Sequence, residues 1–162
     1  MKIFFSYTLV LMLLTACGVS KATSTERGQR QQAINETVAT RDYWVVMTAC
    51  HPLRMAGRPL ESGYDIHVKG DTLYSVLPYF GRAWSVPYGG GSALRFDAPI
   101  ANYEAKRDKE GTRVSLRVSH GNDTFHYLLY IYDNGKATLD VSCVNRDNIS
   151  FTGFLAKYEE EQ

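Results

Sequence analysis

Beyond Ala16 the sequence has no apolar run long enough to cross a membrane as a helix, and Ile3 to Leu14, the one stretch that is almost wholly apolar, is itself too short to span stably. Charge of one sign is also missing: 18 Lys and Arg stand against 17 Asp and Glu, so bulk electrostatics gives no reason to expect nucleic acid or anionic lipid as a partner. Cysteine is scarce, and two thiols besides Cys17 are too few for a metal site on their own. The four histidines, His51, His67, His120 and His126, are scattered singly, with no His-x-x-x-His pair and no carboxylate at ligand spacing. Cys50 and His51 are neighbours, but adjacent strand residues point to opposite faces, so neither can activate the other. No serine sits in a Gly-x-Ser-x-Gly elbow, and Gly89-Gly90-Gly91 is not followed by the Lys-Ser/Thr of a phosphate loop. No catalytic group, metal site or cofactor is expected.

What the chain does have begins at its start. Lys2 precedes the apolar stretch, and the stretch ends in Leu14-Thr15-Ala16-Cys17: a large apolar residue, two small ones and a thiol. This is the pattern of an export signal over residues 1–16 that is cut so that Cys17 becomes a lipid-bearing first residue. A cysteine carrying two or three acyl chains is held almost permanently, since each buried CH₂ contributes roughly 0.8 kcal/mol. Membrane residence then asks nothing of the folded domain.

Residues 17–26 are small and polar and read as a flexible tether. Residues 27–42, rich in Gln, Arg, Glu and Ala, read as a helix entered through the capping-box spacing Thr23-Ser24-Thr25-Glu26. Its narrow apolar stripe, Ala33, Ile34 and Val38, suits a helix lying on the domain surface or over one end of it.

From residue 43 to 158 short alternating runs are broken by Gly, Asp and Asn, the rhythm of an antiparallel meander. Strands are expected near 43–50, 64–70, 72–78, 93–97, 100–107, 112–119, 123–133, 136–145 and 148–157. The joints are Gly70-Asp71, Gly121-Asn122, Asn134-Gly135 and Asp147-Asn148. Val114, Leu116 and Val118 share one face and Arg113, Ser115 and Arg117 the other, so one face is core and the other wet. By the same alternation His67 shares a solvent face with Asp65 and Lys69. Strand 123–133 is apolar on both faces, so it is expected to be central or covered on its outer side, for instance by the helix. A meander of about eight strands curls or closes to hide its edges, so the fold class is mainly β, a small up-and-down barrel or strongly curved sheet with one N-terminal helix. A sandwich is the next choice. An acidic tail, residues 159–162, follows.

Cys50 and Cys143 stand near the two ends of this domain. In an oxidising compartment a bridge between them would contribute roughly 4 to 5 kcal/mol by loop-closure entropy; otherwise both are reduced, buried thiols. The aromatic residues Tyr79, Phe80, Trp84 and Tyr88 are interleaved with Pro78, Gly81, Arg82 and Pro87. They form either a rigid lip at a barrel mouth, where Arg82 offers a fork to an anionic ligand group, or a plug that extends the core.

The segment LPYFGRAWSVPYGGG, residues 77–91, resembles the signature of a Bacteroidota lipoprotein family known as domain of unknown function 4251. Gly70-Asp71, Leu77 to Ala83, Pro87-Tyr88-Gly89, Gly135 to Leu139 and Ile149 to Gly153 carry the resemblance, which extends over roughly residues 30–157. It implies a lipocalin-like β-barrel in the cell envelope, and it lends no activity and no catalytic residue. In that lineage the lack of acidic residues in Gly18-Val19-Ser20-Lys21 implies an outer-membrane anchor facing the periplasm. The same lineage can O-glycosylate Asp-Thr followed by an aliphatic residue, as in Asp71-Thr72-Leu73, although a hairpin turn entering a strand is the stronger reading of those residues.

The function expected from all of this is non-enzymatic: a lipid-anchored barrel that binds a small apolar or amphipathic ligand, or an envelope protein, through the 77–91 region. A structural or assembly subunit of an outer-membrane complex is the alternative, and a hydrolase stands third.

Overall fold

Alternation in the sequence becomes curvature in the structure, because each strand has one face too apolar to leave in water and two edges that need partners. The computed structural model describes residues 19–84 and 94–156, with the backbone alone for 19–27. Helix α1 (Val19–Thr40) leads into nine strands: β1 (Asp42–Pro52), β2 (Arg58–Pro59), β3 (Asp65–Lys69), β4 (Thr72–Leu77), β5 (Leu94–Arg107), β6 (Gly111–His120), β7 (Asp123–Tyr132), β8 (Lys136–Cys143) and β9 (Arg146–Leu155). All pairings are antiparallel, and β1 bonds to β3 on one side and β9 on the other. This closes an eight-strand barrel, to which the two-residue β2 adds a short flap against Ala49 and Cys50.

The expected faces hold. Val114, Leu116 and Val118 are buried while Arg113 and Arg117 are exposed, and Leu139 and Val141 are buried beside an exposed Asp140. Inward side chains from all eight barrel strands meet in one core that includes the fully buried Tyr43, Met47, Phe125, Tyr127 and Phe151. Ser75 Oγ and Tyr127 Oη, 3.1 Å apart, satisfy each other inside the barrel, and Ser75 also donates to the Leu94 carbonyl at 2.9 Å. Burial pushes the Tyr127 phenol far up, so it stays protonated.

Several elements differ from the sequence expectation for identifiable reasons. The helix starts at Val19, so most of the residues read as tether are helical; no proline interrupts 19–40, and the capping-box residues lie inside the helix. The segments 93–97 and 100–107 are one strand. Pro99 is tolerated where pairing passes from β4, which takes 94–99, to β6, which takes 100–107, and a bulge falls between Ile100 and Asn102. The β8–β9 turn is Val144-Asn145, and Asp147-Asn148 belong to β9.

Among the described residues, no helix covers the outer face of β7. Leu128 is exposed, and Tyr130 and Tyr132 cover each other with rings 4.7 Å apart. His67 faces outward as expected but is buried there: it stacks on Trp44 at 4.0 Å and Tyr74 at 5.6 Å, and its Nε2 lies 2.8 Å from Asp42. Asp71-Thr72-Leu73 forms the β3–β4 hairpin and the start of β4. No bridge joins Cys50 and Cys143. Both are free thiols, on strands separated by β9, and burial pushes both up from their ordinary pKa.

Helix α1 closes one end of the barrel by burying Ile34 and Val38 against the core. Thr112 donates to Asn35 at 3.0 Å, and Tyr103 reaches the Val38 carbonyl while sharing a 3.1 Å bond with Tyr43. The helix stops at Arg41, whose φ of 53° is left-handed. That backbone is held by Gly70 N–H donating to the Arg41 carbonyl, by the Arg41–Asp71 ion pair and by the guanidinium lying over Tyr103.

Closure of the barrel rests on Gly153, where a Cβ would overlap the Val46 carbonyl oxygen of β1 beside the bulge between Met47 and Ala49. Gly153→Ala is expected to cost about 1–3 kcal/mol by forcing β1 and β9 apart. Gly28→Ala, at a position with open space around it, serves as the control that should not destabilise. Equal denaturant midpoints for the two variants would refute this account of the seam.

Candidate binding site

The two ends of the barrel are built differently, and each gathers residues with chemistry to offer. At the end opposite α1, residues 79–84 leave β4 and fold across the β8–β9 turn. Asp147 is the hub. Its carboxylate accepts from the Arg82 backbone N–H at 3.1 Å and from Arg54 Nε at 3.2 Å, while its own N–H donates to the Arg82 carbonyl at 3.0 Å. Tyr79 Oη shares its proton between the carbonyls of Arg82 at 2.9 Å and Asp147 at 3.0 Å. Trp84 N–H donates to the Asn145 carbonyl, and Ala83 bridges to Arg146.

Beneath this strap lies a buried ion pair. Arg146 contacts Asp123 through Nε at 3.0 Å and through its second terminal nitrogen at 2.9 Å, under the ring of Tyr79. Asn145 donates to the other Asp123 oxygen at 3.0 Å. Desolvation alone would raise the Asp123 carboxyl, but the hydrogen bonds from Asn145 and Arg146 outweigh it and hold the group below the ordinary carboxylate range.

The sequence candidates therefore separate into two kinds. Tyr79 fastens the strap, and Phe80 is half-buried under the Arg58 guanidinium at 4.5 Å, so these two extend the core. Arg82 contributes only its backbone to the latch, and its side chain is exposed, as is the indole of Trp84. Tyr88 and the lipid-attachment candidate Cys17 lie outside the described residues. The latch residues Arg54, Asp123, Asn145, Arg146 and Asp147 escaped the sequence reading, because charged residues near strand ends look like solvated turns until the partner strands are known.

At the other end, α1 does not cover the rim completely. Between the helix, the Asn134-Gly135 turn and the end of β9 lies a cleft of about 1010 Å³. Ile34, Tyr43, Phe154 and Leu155 give it an apolar floor, and Arg30, Glu36, Asp42 and Lys136 stand at its edge. Ala33, the third residue of the expected apolar stripe, lines this cleft instead of the core. Phe154 was the available signal, a large apolar residue on the outward side of β9 directly after Gly153. Cys50 is buried in the wall, whereas His51 is exposed with its Nε2 3.5 Å from the Thr152 hydroxyl.

The latch makes a pH prediction. A carboxyl whose pKa falls on folding stabilises the native state above its unfolded value, about 3.9, and loses that contribution as pH drops through the lower folded value. Asp123→Asn should therefore cost about 3 kcal/mol at pH 7, where it leaves Arg146 buried without its counter-charge. The difference should shrink as denaturation is measured toward pH 2–3. A difference that stays constant across that range would show that Asp123 is not ionised in the latch.

Comparison with known proteins agrees with this architecture. A family model described as domain of unknown function (DUF4251) matches residues 25–155. No curated protein matches. Among solved structures, the chain is similar to the crystal structure of a DUF4251 family protein from Bacteroides eggerthii DSM 20697, with a TM-score of 0.59 and 11% sequence identity, over 78% of this chain and 86% of that one. The chain belongs to the family of the domain of unknown function 4251.

Proposed function

We propose that the protein is a non-enzymatic binding barrel of the cell envelope, anchored through acylated Cys17 to the outer membrane on its periplasmic side. Its ligand is a small amphipathic molecule held in the cleft between α1 and the barrel rim. The observation that carries this reading is the cleft itself. It has the size of small-molecule sites, with an apolar floor and a few charged groups at the edge that fix orientation. Arg30 and Lys136 suit an anionic headgroup, and Ile34, Phe154 and Leu155 suit an alkyl or aromatic portion.

The barrel interior gives less support to a ligand. Tyr127, Phe125, Phe151, Met47 and their neighbours occupy it, Ile34 and Val38 press on it from one end, and Tyr79 straps the other. Binding is thereby displaced from the lumen, where lipocalin-type barrels carry ligands, to the rim. A thiol-based hydrolase is disfavoured because burial keeps both Cys50 and Cys143 protonated.

Native mass spectrometry of the full chain extracted from its own cells tests the proposal. A non-covalent adduct is expected, lost in Ala33→Trp, which fills the cleft, and kept in Trp84→Ala. Adduct loss in Trp84→Ala with retention in Ala33→Trp would place binding at the strap instead. Cys17→Ser should abolish acyl mass and membrane association; persistence of both would remove the anchor.

A further inference from the structure

The strapped end carries a second surface, distinct from the cleft. Four of the largest exposed apolar side chains converge there: Leu53 at 64% exposure, Met55 at 46%, Trp84 at 66% and Val144 at 90%. They come from three loops that meet at one carboxylate. Arg54, between Leu53 and Met55, bonds Asp147; the Arg82 backbone, two residues before Trp84, bonds the same oxygen; and Trp84 N–H is bonded to Asn145, next to Val144. Among the described residues, the other exposed large apolar side chains lie elsewhere: Tyr74 and Leu128 on the outer wall of the barrel, and Phe154 in the cleft at the helix-capped rim.

The charge around this group is uneven. Arg54, Arg58 and Arg82 are exposed, whereas Asp123 and Asp147 are buried in the latch and engaged by Arg146 and Arg54. Glu61 falls beyond Leu60, whose N–H is bonded to Thr48 on the wall. Exposed apolar side chains and exposed guanidinium groups thus share this end.

We propose that this end is a docking surface for a protein partner whose contact face presents carboxylates around an apolar pocket that receives Trp84. The composition decides between partners. Trp, Met and Arg are enriched and Lys depleted in protein interfaces. The strand and turn lysines, Lys69, Lys106, Lys109 and Lys136, all lie at the opposite, helix-capped end. A bilayer contact would call on those lysines and on that end. A second copy would bring two sets of arginines together, which costs free energy through like-charge repulsion.

The test places a photo-crosslinking phenylalanine analogue at position 84 of the full chain in its own cells, with position 128 as a control on the barrel wall. One protein adduct is expected at 84 and none at 128. After purification, that protein should bind the full chain with an affinity that falls about tenfold or more in Trp84→Ala and in Arg82→Glu. Both side chains are exposed, and Arg82 enters the latch only through its backbone, so melting should not change, and reversing the partner's facing carboxylate to lysine should restore binding to Arg82→Glu. An adduct to phospholipid, together with Trp84-dependent binding to phosphatidylglycerol–phosphatidylethanolamine vesicles, would overturn the proposal in favour of a membrane contact. An adduct to the chain itself would overturn it in favour of self-association. Equal labelling at 84 and 128, or no labelling, would show that the surface has no specific occupant. None of these outcomes bears on the cleft, which Ala33→Trp reports separately.

Discussion

Pairing of β1 with β9 is the constraint on which everything else in this molecule depends. An eight-strand meander left open would present two rows of unpaired backbone groups and an apolar face wider than one short helix can shelter. Bringing the last strand back to the first removes both problems at once, and the chain spends little to do it: a bulge between Met47 and Ala49 turns β1, and Gly153 lets the Val46 carbonyl approach where any side chain would collide. Once the seam is closed, inward alternation on every strand converges on one axis, and bulky residues such as Tyr127 and Phe151 fill the interior.

Closure creates a new problem, because a barrel has two open ends, and the two are solved with different chemistry. At one end α1 lays Ile34 and Val38 over the core and is positioned by Asn35, Arg41 and the Tyr43–Tyr103 pair. At the other end the plug is polar, with Tyr79 and the Arg82 backbone bound to the β8–β9 turn over the Asp123–Arg146 pair. A buried ion pair of this kind adds little net stability over an apolar substitute, since desolvation consumes much of the attraction. What it adds is position: Asp147 can satisfy Arg54 and the Arg82 backbone together only when three loops are in register.

Much of the barrel was legible in the sequence, because strand faces follow from a period of two and turns from glycine. Gly70, Gly121 and Gly135 all have positive φ at hairpins read from the sequence alone. Failures occurred where long-range partners decide. Asp147-Asn148 looked like a turn because Asp and Asn favour turns, but the buried contacts of Asp147 hold it in β9 and move the turn to Val144-Asn145. Pro99 looked like a break because nothing in sequence shows that pairing changes partner at that residue. Whether Cys50 and Cys143 pair was left open by the sequence, because it turns on which strands are neighbours, and β9 lies between theirs. The aromatic segment was found, but its division into fastening residues, Tyr79 and Phe80, and presented ones, Arg82 and Trp84, depends on the β8–β9 turn folding under it.

An identity of 11% with a barrel of the same family, at a TM-score of 0.59, marks what the fold demands and what it leaves free. Alternation, closure and plugged ends can be met by many side chains, so the wall is permissive. The ends are less so, because there the chain must reconcile backbone groups leaving the sheet with whatever the surface is for. In this chain that reconciliation has left Leu53, Met55, Trp84 and Val144 in water beside a latch that could have been shielded by polar loops. Exposed apolar area on this scale works against solubility unless something covers it. Loops held in register by a buried carboxylate, each presenting an exposed apolar residue, are what the proposed docking surface requires, whereas the core is complete without those side chains.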